Sequence, residues 1–347
     1  MKFRLNHYAR LEVHIVLSIF SALIFSYLLY KPISTFNPIG QESFVLPVTP
    51  EVTKQWGKEP VHVKMGLTFH QFLKFNVIQD DFLVTAVIWF EFDPTKVSLD
   101  TISKFSFTKG NIVQKSDPIV IKISDTKSFV KYHLRIEFNT ILDYTMFPLD
   151  NHKLFLNFTN TAVDADQVVF DVAPKAFVIP KYLTVSGWNI VEHNVKSGYT
   201  EYEIPEANQT AKEPKVVFSL GIQKKDIRQL MIMLLPILLL FYFCVFMLTI
   251  DDFSLKIQNM LMIITAYMAY NVVIQSMSPN IGYFMLIDYV MLLFIIAMFI
   301  IFIVLMLGNL PEKILSKTTY EKIKGGTVLL VYAMVIGFMF YLTNFLA

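Results

Sequence analysis

"KIQNMLMIITAYMAYNVVIQSMSP", residues 256–279, is long and apolar enough to cross a bilayer, yet it carries Gln258, Asn259, Thr265, Tyr267, Tyr270, Asn271, Gln275 and Ser276. Hydrocarbon offers no hydrogen bonds, so these groups must face protein or water. At helical spacing Gln258, Met262, Thr265, Ala269, Val272 and Ser276 recur at intervals of four and three and share one face. That face is polar or small at both ends and weakly apolar in the middle, while Leu261, Ile263, Ile264, Met268 and Ile274 lie elsewhere. Two readings stand side by side. The stripe packs against neighbouring helices, with hydroxyls as glue and Tyr267 and Asn271 on the flank, or several copies about an axis enclose water with it.

The surrounding chain has 347 residues, 54% of them hydrophobic and 17% charged. That is too apolar for an ordinary soluble domain and too mixed for a pure membrane bundle, so a half-and-half protein is expected. A net charge of +2 gives no nucleic-acid footprint. The single cysteine, Cys244, precludes an intrachain disulfide, and a large outer domain without disulfides suggests a bacterial source.

Apolar runs of about 20 residues, the length of a span, occur at 13–30, about 229–250, 257–278, 281–307 and 327–346. Lys2, Arg4 and Arg10 precede the first run, which places the amino terminus in the cytoplasm. Five crossings then put residues 32–224 outside and 308–326 inside, where Lys313, Lys317, Lys322 and Lys324 agree with the rule. The first run reads as an uncleaved anchor, a signal peptide being the alternative. It is long for such a peptide, and "SYLLYKP" lacks the small residues of a cleavage site.

The outer region reads as antiparallel β-structure. "VHVKMGLTF" (61–69) alternates through Val61, Val63, Met65, Leu67 and Phe69, and "VKYHLRIEF" (130–138) through Val130, Tyr132, Leu134, Ile136 and Phe138. "IVIKI" (119–123) and "VVFSLGI" (216–222) fit as well. Short strands and turns over this length suggest an immunoglobulin-like β-sandwich. The division expected is 1–31 cytoplasmic terminus and anchor, 32–59 linker, 60–225 β-sandwich of ligand-binding type, and 226–347 four-helix membrane bundle.

Enzyme chemistry has little support, since there is no Gly-rich phosphate loop, nucleophile elbow or paired-His metal spacing. No cofactor or metal is expected. The seven histidines are scattered, most on the polar side of strand patterns, and read as solvated surface residues, with Asp80–Asp81 and Asp164–Asp166 as turn carboxylates.

Several features in order resemble a known family. "FPLD" at 147–150 is similar to the Phe-Pro-x-Asp signature of pentameric ligand-gated ion channel subunits, here of the bacterial type without the Cys-loop disulfide. Gly187–Trp188 resembles the strand entering the agonist-capping loop. Lys224–Lys225 stand where that family has basic residues before the first channel helix, and Pro236 matches that helix's proline. Residues 256–279 match the pore helix in length, and "AYNVVIQSMSP" is similar to that of proton-gated bacterial members. "SPNIGYFMLIDY" resembles the following linker and helix. The resemblance covers about residues 60–347.

The resemblance implies a homopentamer in a bacterial inner membrane, its β-domain periplasmic, in contact with lipid and gated by protons or an unknown small ligand. Gln258, Met262, Thr265, Ala269, Val272 and Ser276 would line the pore. Phe147, Pro148, Asp150, Lys224, Lys225, Pro279 and Tyr283 would couple the outer domain to it. Asp251, Asp252 and Lys256 would set the cytoplasmic mouth: a ring of acids concentrates cations, whereas dominance of Lys256 would favour anions. The acids also fit as helix caps.

The sequence departs from the family in three places. Thr265 replaces the usual central Leu or Ile, leaving Ala269 and Val272 to hold the pore shut, and the family's glutamate inside the pore entrance is absent, with Ser254 and Leu255 in that region. In "WFEFD" (89–93) the family's Trp-x-Asp element has become Phe92-Asp93, and no tryptophan follows "FPLD" where many members place one. An amine agonist is therefore not expected. Phe92 and Phe107 read as core residues or ligand contacts, and Tyr199 and Tyr202 as capping-loop contacts. A non-conducting sensor or accessory subunit is the alternative function.

Overall fold

The computed structural model describes residues 11–34, 36, 44–185, 187–204, 209–225 and 227–341. The helices are α1 (Leu11–Ser34), α2 (Pro50–Trp56), α3 (Leu99–Ser103), α4 (Ile227–Phe246), α5 (Phe253–Met277), α6 (Leu286–Leu307) and α7 (Lys317–Tyr341). The strands are β1 (Val61–Asn76), β2 (Asp81–Phe92), β3 (Phe105–Thr108), β4 (Gly110–Lys115), β5 (Ile119–Ser124), β6 (Lys127–Asn139), β7 (Asn151–Asn160), β8 (Val168–Asp171), β9 (Phe177–Val178), β10 (Trp188–Ile204) and β11 (Gln209–Lys224). The chain divides into two compact units. One holds α1, the loop Tyr144–Asp150 and α4 to α7, and the other holds the strands with α2 and α3.

All strands of the β unit join one eleven-stranded sheet in the order β10-β11-β7-β3-β4-β6-β2-β1-β8, with β5 on β6 and β9 on β1. The alternation read in the sequence governs it, because side chains on a strand point to opposite faces in turn. Along β2 every second residue is buried, and β6 buries Val130, Tyr132, Leu134, Ile136 and Phe138. The sheet curls into a nearly closed barrel. Phe90 of β2 meets Phe105 of β3, Phe158 of β7 and Phe170 of β8 at 5.4, 5.9 and 6.0 Å between ring centres. Tilted and edge-on contacts of this kind stabilise beyond their buried area.

Four helices are long and apolar enough to cross a membrane: Arg228–Thr249, Phe253–Met277, Leu286–Leu307 and Lys317–Tyr341. In α1 the apolar part among the described residues is Glu12–Tyr27. Two expected boundaries shift. Residues 281–285 are a non-helical linker with a bend at 282–283, so α6 begins at Leu286. α7 begins ten residues before the expected 327, because Ser316 caps it by accepting from the Thr319 amide at 3.3 Å and Lys317, Glu321, Lys322 and Lys324 in the turns that follow favour helix. The expected continuation to 346 lies outside the described residues beyond Tyr341.

Candidate functional site

α5 is the least apolar and least buried of the four long helices. Asp252 starts it, its carboxylate accepting from the Leu255 amide at 2.9 Å. Its buried residues are Lys256, Met260, Ile263, Tyr267 and Ile274. At about 100° per residue these fall on one side of the helix. Gln258, Met262, Thr265, Ala269, Val272 and Ser276 fall opposite, and all six are exposed on the single chain.

The polar groups sort into three kinds. Tyr267 points inward and donates to the Met291 carbonyl of α6 at 2.6 Å, and Tyr270 donates to the Ile232 carbonyl of α4. Thr265 and Ser276 return their hydroxyls to the helix's own carbonyls, at Leu261 (2.9 Å) and Val273 (2.7 Å). The side-chain amides of Gln258, Asn259, Asn271 and Gln275 find no partner among the described residues. Each amide moved unbonded into hydrocarbon costs about 2–7 kcal/mol. Gln258 and Gln275 stand about 26 Å apart at 1.5 Å per residue, within a hydrocarbon layer about 30 Å thick. Of the four only Gln258 lies on the stripe; Asn259, Asn271 and Gln275 stand about 100° or more to its sides, so α5 needs water or another protein surface on its flanks as well as on that face.

At the start of α5, Asp251 and Asp252 are exposed, whereas Lys256 is only 6% exposed and lies on the side of α5 away from the stripe. Its electrostatic neighbours include Lys324, itself buried and paired with Glu321 at 3.0 Å. Asp251 and Asp252 are also electrostatic neighbours of Lys256, so the lysine and the acids differ in burial rather than in position.

The residues of the "FPLD" loop meet the linker between α5 and α6. The Tyr144 amide donates to the Tyr283 hydroxyl at 2.9 Å. The Leu286 amide donates to the Thr145 carbonyl at 2.8 Å and the Ile287 amide to the Phe147 carbonyl at 3.2 Å. These are first-turn amides with no partner inside their own helix, so the loop supplies acceptors that α6 lacks. Asp288 reaches back to the Met285 amide at 2.8 Å. Phe147 and Asp150 are buried, the Phe147–Pro148 peptide is cis, Pro279 is buried and Tyr283 is exposed. The sequence motifs did not disclose the Thr145, Leu286 and Ile287 bonds, which are made by backbone atoms. Lys224 and Lys225 belong to the β unit, where the Lys224 ammonium lies 5.6 Å from the Trp188 ring centre and the Lys225 amide donates to Gly187.

The expected ligand contacts separate. Phe92 and Phe107 are buried at 5% and 4% exposure, as core residues of β2 and β3. Tyr199 and Tyr202, expected in a loop, lie within β10, which pairs with β11 along its whole length. Tyr202 is exposed, but Tyr199 is buried, with the Trp56 ring edge-on at 5.2 Å. Among the described residues no group of three His, Cys, Asp or Glu side chains is placed to hold a metal ion.

No family model and no curated protein matches the chain.

Proposed function

We propose that this chain is the subunit of a pentameric ligand-gated ion channel, its pore lined by the exposed face of α5. The observation that carries the reading is that α5 buries one side within the subunit and leaves the opposite face exposed, with the polar side chains Gln258, Thr265 and Ser276 along it. One helix cannot enclose water, but five copies about an axis give that face a hydrated lumen. The family resemblance of residues 60–347 supports five as their number. The β unit is the sandwich-like receptor domain on the outer side of a bacterial inner membrane, and Lys2, Arg4, Arg10 and the inner lysines hold the opposite side.

The exposed pair Asp251–Asp252 favours cations, because five copies make a ring of ten carboxylates at the mouth. Burial of Lys256 within the subunit weighs against an anion channel. Gating follows from the loop's bonds to α6. A ligand or proton that binds one arrangement of the β units better shifts the loop Tyr144–Asp150, and α6 and the linker move with it. The ring of Ala269 and Val272 then wets or dewets. The deciding test is the native mass of the detergent-purified protein, followed by bilayer recording in asymmetric salt. Five copies and a cation-directed reversal potential are expected. A stable monomer or dimer would remove the pore and leave a membrane-anchored sensor.

A further inference from the structure

β10 is the edge strand of the sheet, and an edge presents unpaired amides and carbonyls. At Tyr199 that edge is taken up by the chain's own leading segment. The Leu46 amide donates to the Tyr199 carbonyl and the Tyr199 amide to the Leu46 carbonyl, both at 2.9 Å. The neighbouring residue is shaped for this contact. A Cβ on Gly198 would stand 2.0 Å from the Leu46 carbonyl oxygen and 2.8 Å from Val45. Gly198 has no positive φ, so close approach of the segment, not backbone conformation, is what requires glycine there.

Beyond Leu46 the segment continues into α2, whose last residue, Trp56, lies edge-on to Tyr199, with the Lys212 ammonium 5.3 Å from the Trp56 ring centre. Lys212 forms no ion pair among the described residues. The hold on the segment is slight: α2 buries none of its residues, and no residue from Phe44 to Glu59 is buried. The turn is kept in shape locally, by Thr49 at its start and by Gly57 in the left-handed conformation (φ 72°) at its end. Apart from the paired backbone bonds and the Trp56 ring, its tie to the strands is the Lys58–Asp166 pair at 3.2 Å, half-exposed and therefore weak. Segments with few buried contacts open at low free energy.

We propose that residues 45–56 form a displaceable strap, and that the niche they fill beside Tyr199 and Lys212 binds a flat aromatic ligand carrying a carboxylate. The strap shows what the niche accepts: Trp56 presents a ring to Tyr199 and lies beneath an ammonium, and Lys212, which stands across from Glu201 but forms no ion pair among the described residues, offers its charge to the carboxylate of a free aromatic acid. Such a ligand competes with the protein's own tryptophan, so the strap is autoinhibitory. The inference stands whether or not the chain conducts ions, because both of its readouts are taken on the protein itself.

Indole-3-acetate is a suitable probe, used with the full-length protein in detergent and two independent variants. Gly198→Ala pushes the strap off at Leu46, and Trp56→Ala empties the niche without touching β10. Hydrogen exchange should show the Leu46 and Tyr199 amides losing protection in Gly198→Ala while the other β10–β11 amides keep theirs. Calorimetry should show the probe binding at least about tenfold more tightly to either variant than to the parent, as removal of a closed state populated about nine-tenths of the time requires. Lys212→Gln added to Trp56→Ala should abolish the gain. Protected amides in a folded Gly198→Ala, or no gain in probe affinity in Trp56→Ala, would overturn the proposal. If Gly198→Ala disrupts the hairpin, the Trp56→Ala and Lys212→Gln results decide.

Discussion

Gly66 shows how much one residue decides in the β unit. A Cβ there would meet the Trp89 ring at 2.4 Å, and Trp89 is itself stacked on Phe129 at 5.7 Å. Gly66→Ala should lower the stability of the β unit by about 1–3 kcal/mol, the usual cost of overpacking, read as a lower denaturation midpoint. An unchanged midpoint would mean the ring moves aside freely. Glu213 sits on β11, where burial raises its carboxyl above the ordinary range against the opposing pull of Lys215 and a Thr159 hydrogen bond. A raised folded value means that the folded state holds the proton more tightly than the unfolded one. The cost of burying the charge is therefore present above the raised value and fades as pH falls through it. Glu213→Gln should stabilise the protein at neutral pH, with the difference shrinking on acidification; melts across pH that run parallel would refute this.

At the scale of the element, α1 is held to the bundle by hydroxyl pairs. Ser18 bonds Tyr332 of α7 at 2.7 Å and Ser21 bonds Tyr242 of α4 at 2.8 Å. His14, Ser21 and Phe25 are buried, so with Ser18 they form a stripe at the four-three-four spacing of a packed helix face. Such bonds inside a membrane contribute about 0.6 kcal/mol on average and up to about 1.7. A double-mutant cycle of Ser21→Ala with Tyr242→Phe should return a coupling of that size in detergent melts, and independent, additive losses would show that the bond is not made. A seam of this kind was not legible in the apolar run 13–30. Its serines read as ordinary small residues until the tyrosines of helices more than two hundred residues away meet them. The start of α7 was missed for a related reason: hydropathy marks where a helix becomes apolar, whereas Ser316 and the charged turn after it mark where the helix begins.

For the whole molecule, the channel reading makes the central ring the point of weakness. Thr265 is exposed on the stripe and its hydroxyl is already bonded to Leu261. Five threonines there seal a pore less well than five leucines, because a hydrophobic constriction closes by dewetting. Thr265→Leu should reduce the resting current in bilayers, and an undiminished current would refute the weak-ring account. Asp251→Asn with Asp252→Asn should move the reversal potential in asymmetric salt toward zero, and no movement would assign selectivity elsewhere.

What the sequence by itself determined follows from short-range periodicity. The two-residue alternation of 61–69 and 130–138 set which side chains enter the β core, and the 3.6-residue period of 256–279 set which α5 residues share a face. The surroundings of those faces depend on contacts distant in sequence, which only the tertiary structure decided. It turned Lys256 toward α7 and away from the stripe, bound the "FPLD" loop through backbone atoms to α6, and covered Tyr199 with residues 45–56. Periodicity orients a side chain within its own element, but its neighbours are chosen by packing between elements, and no local pattern records that choice.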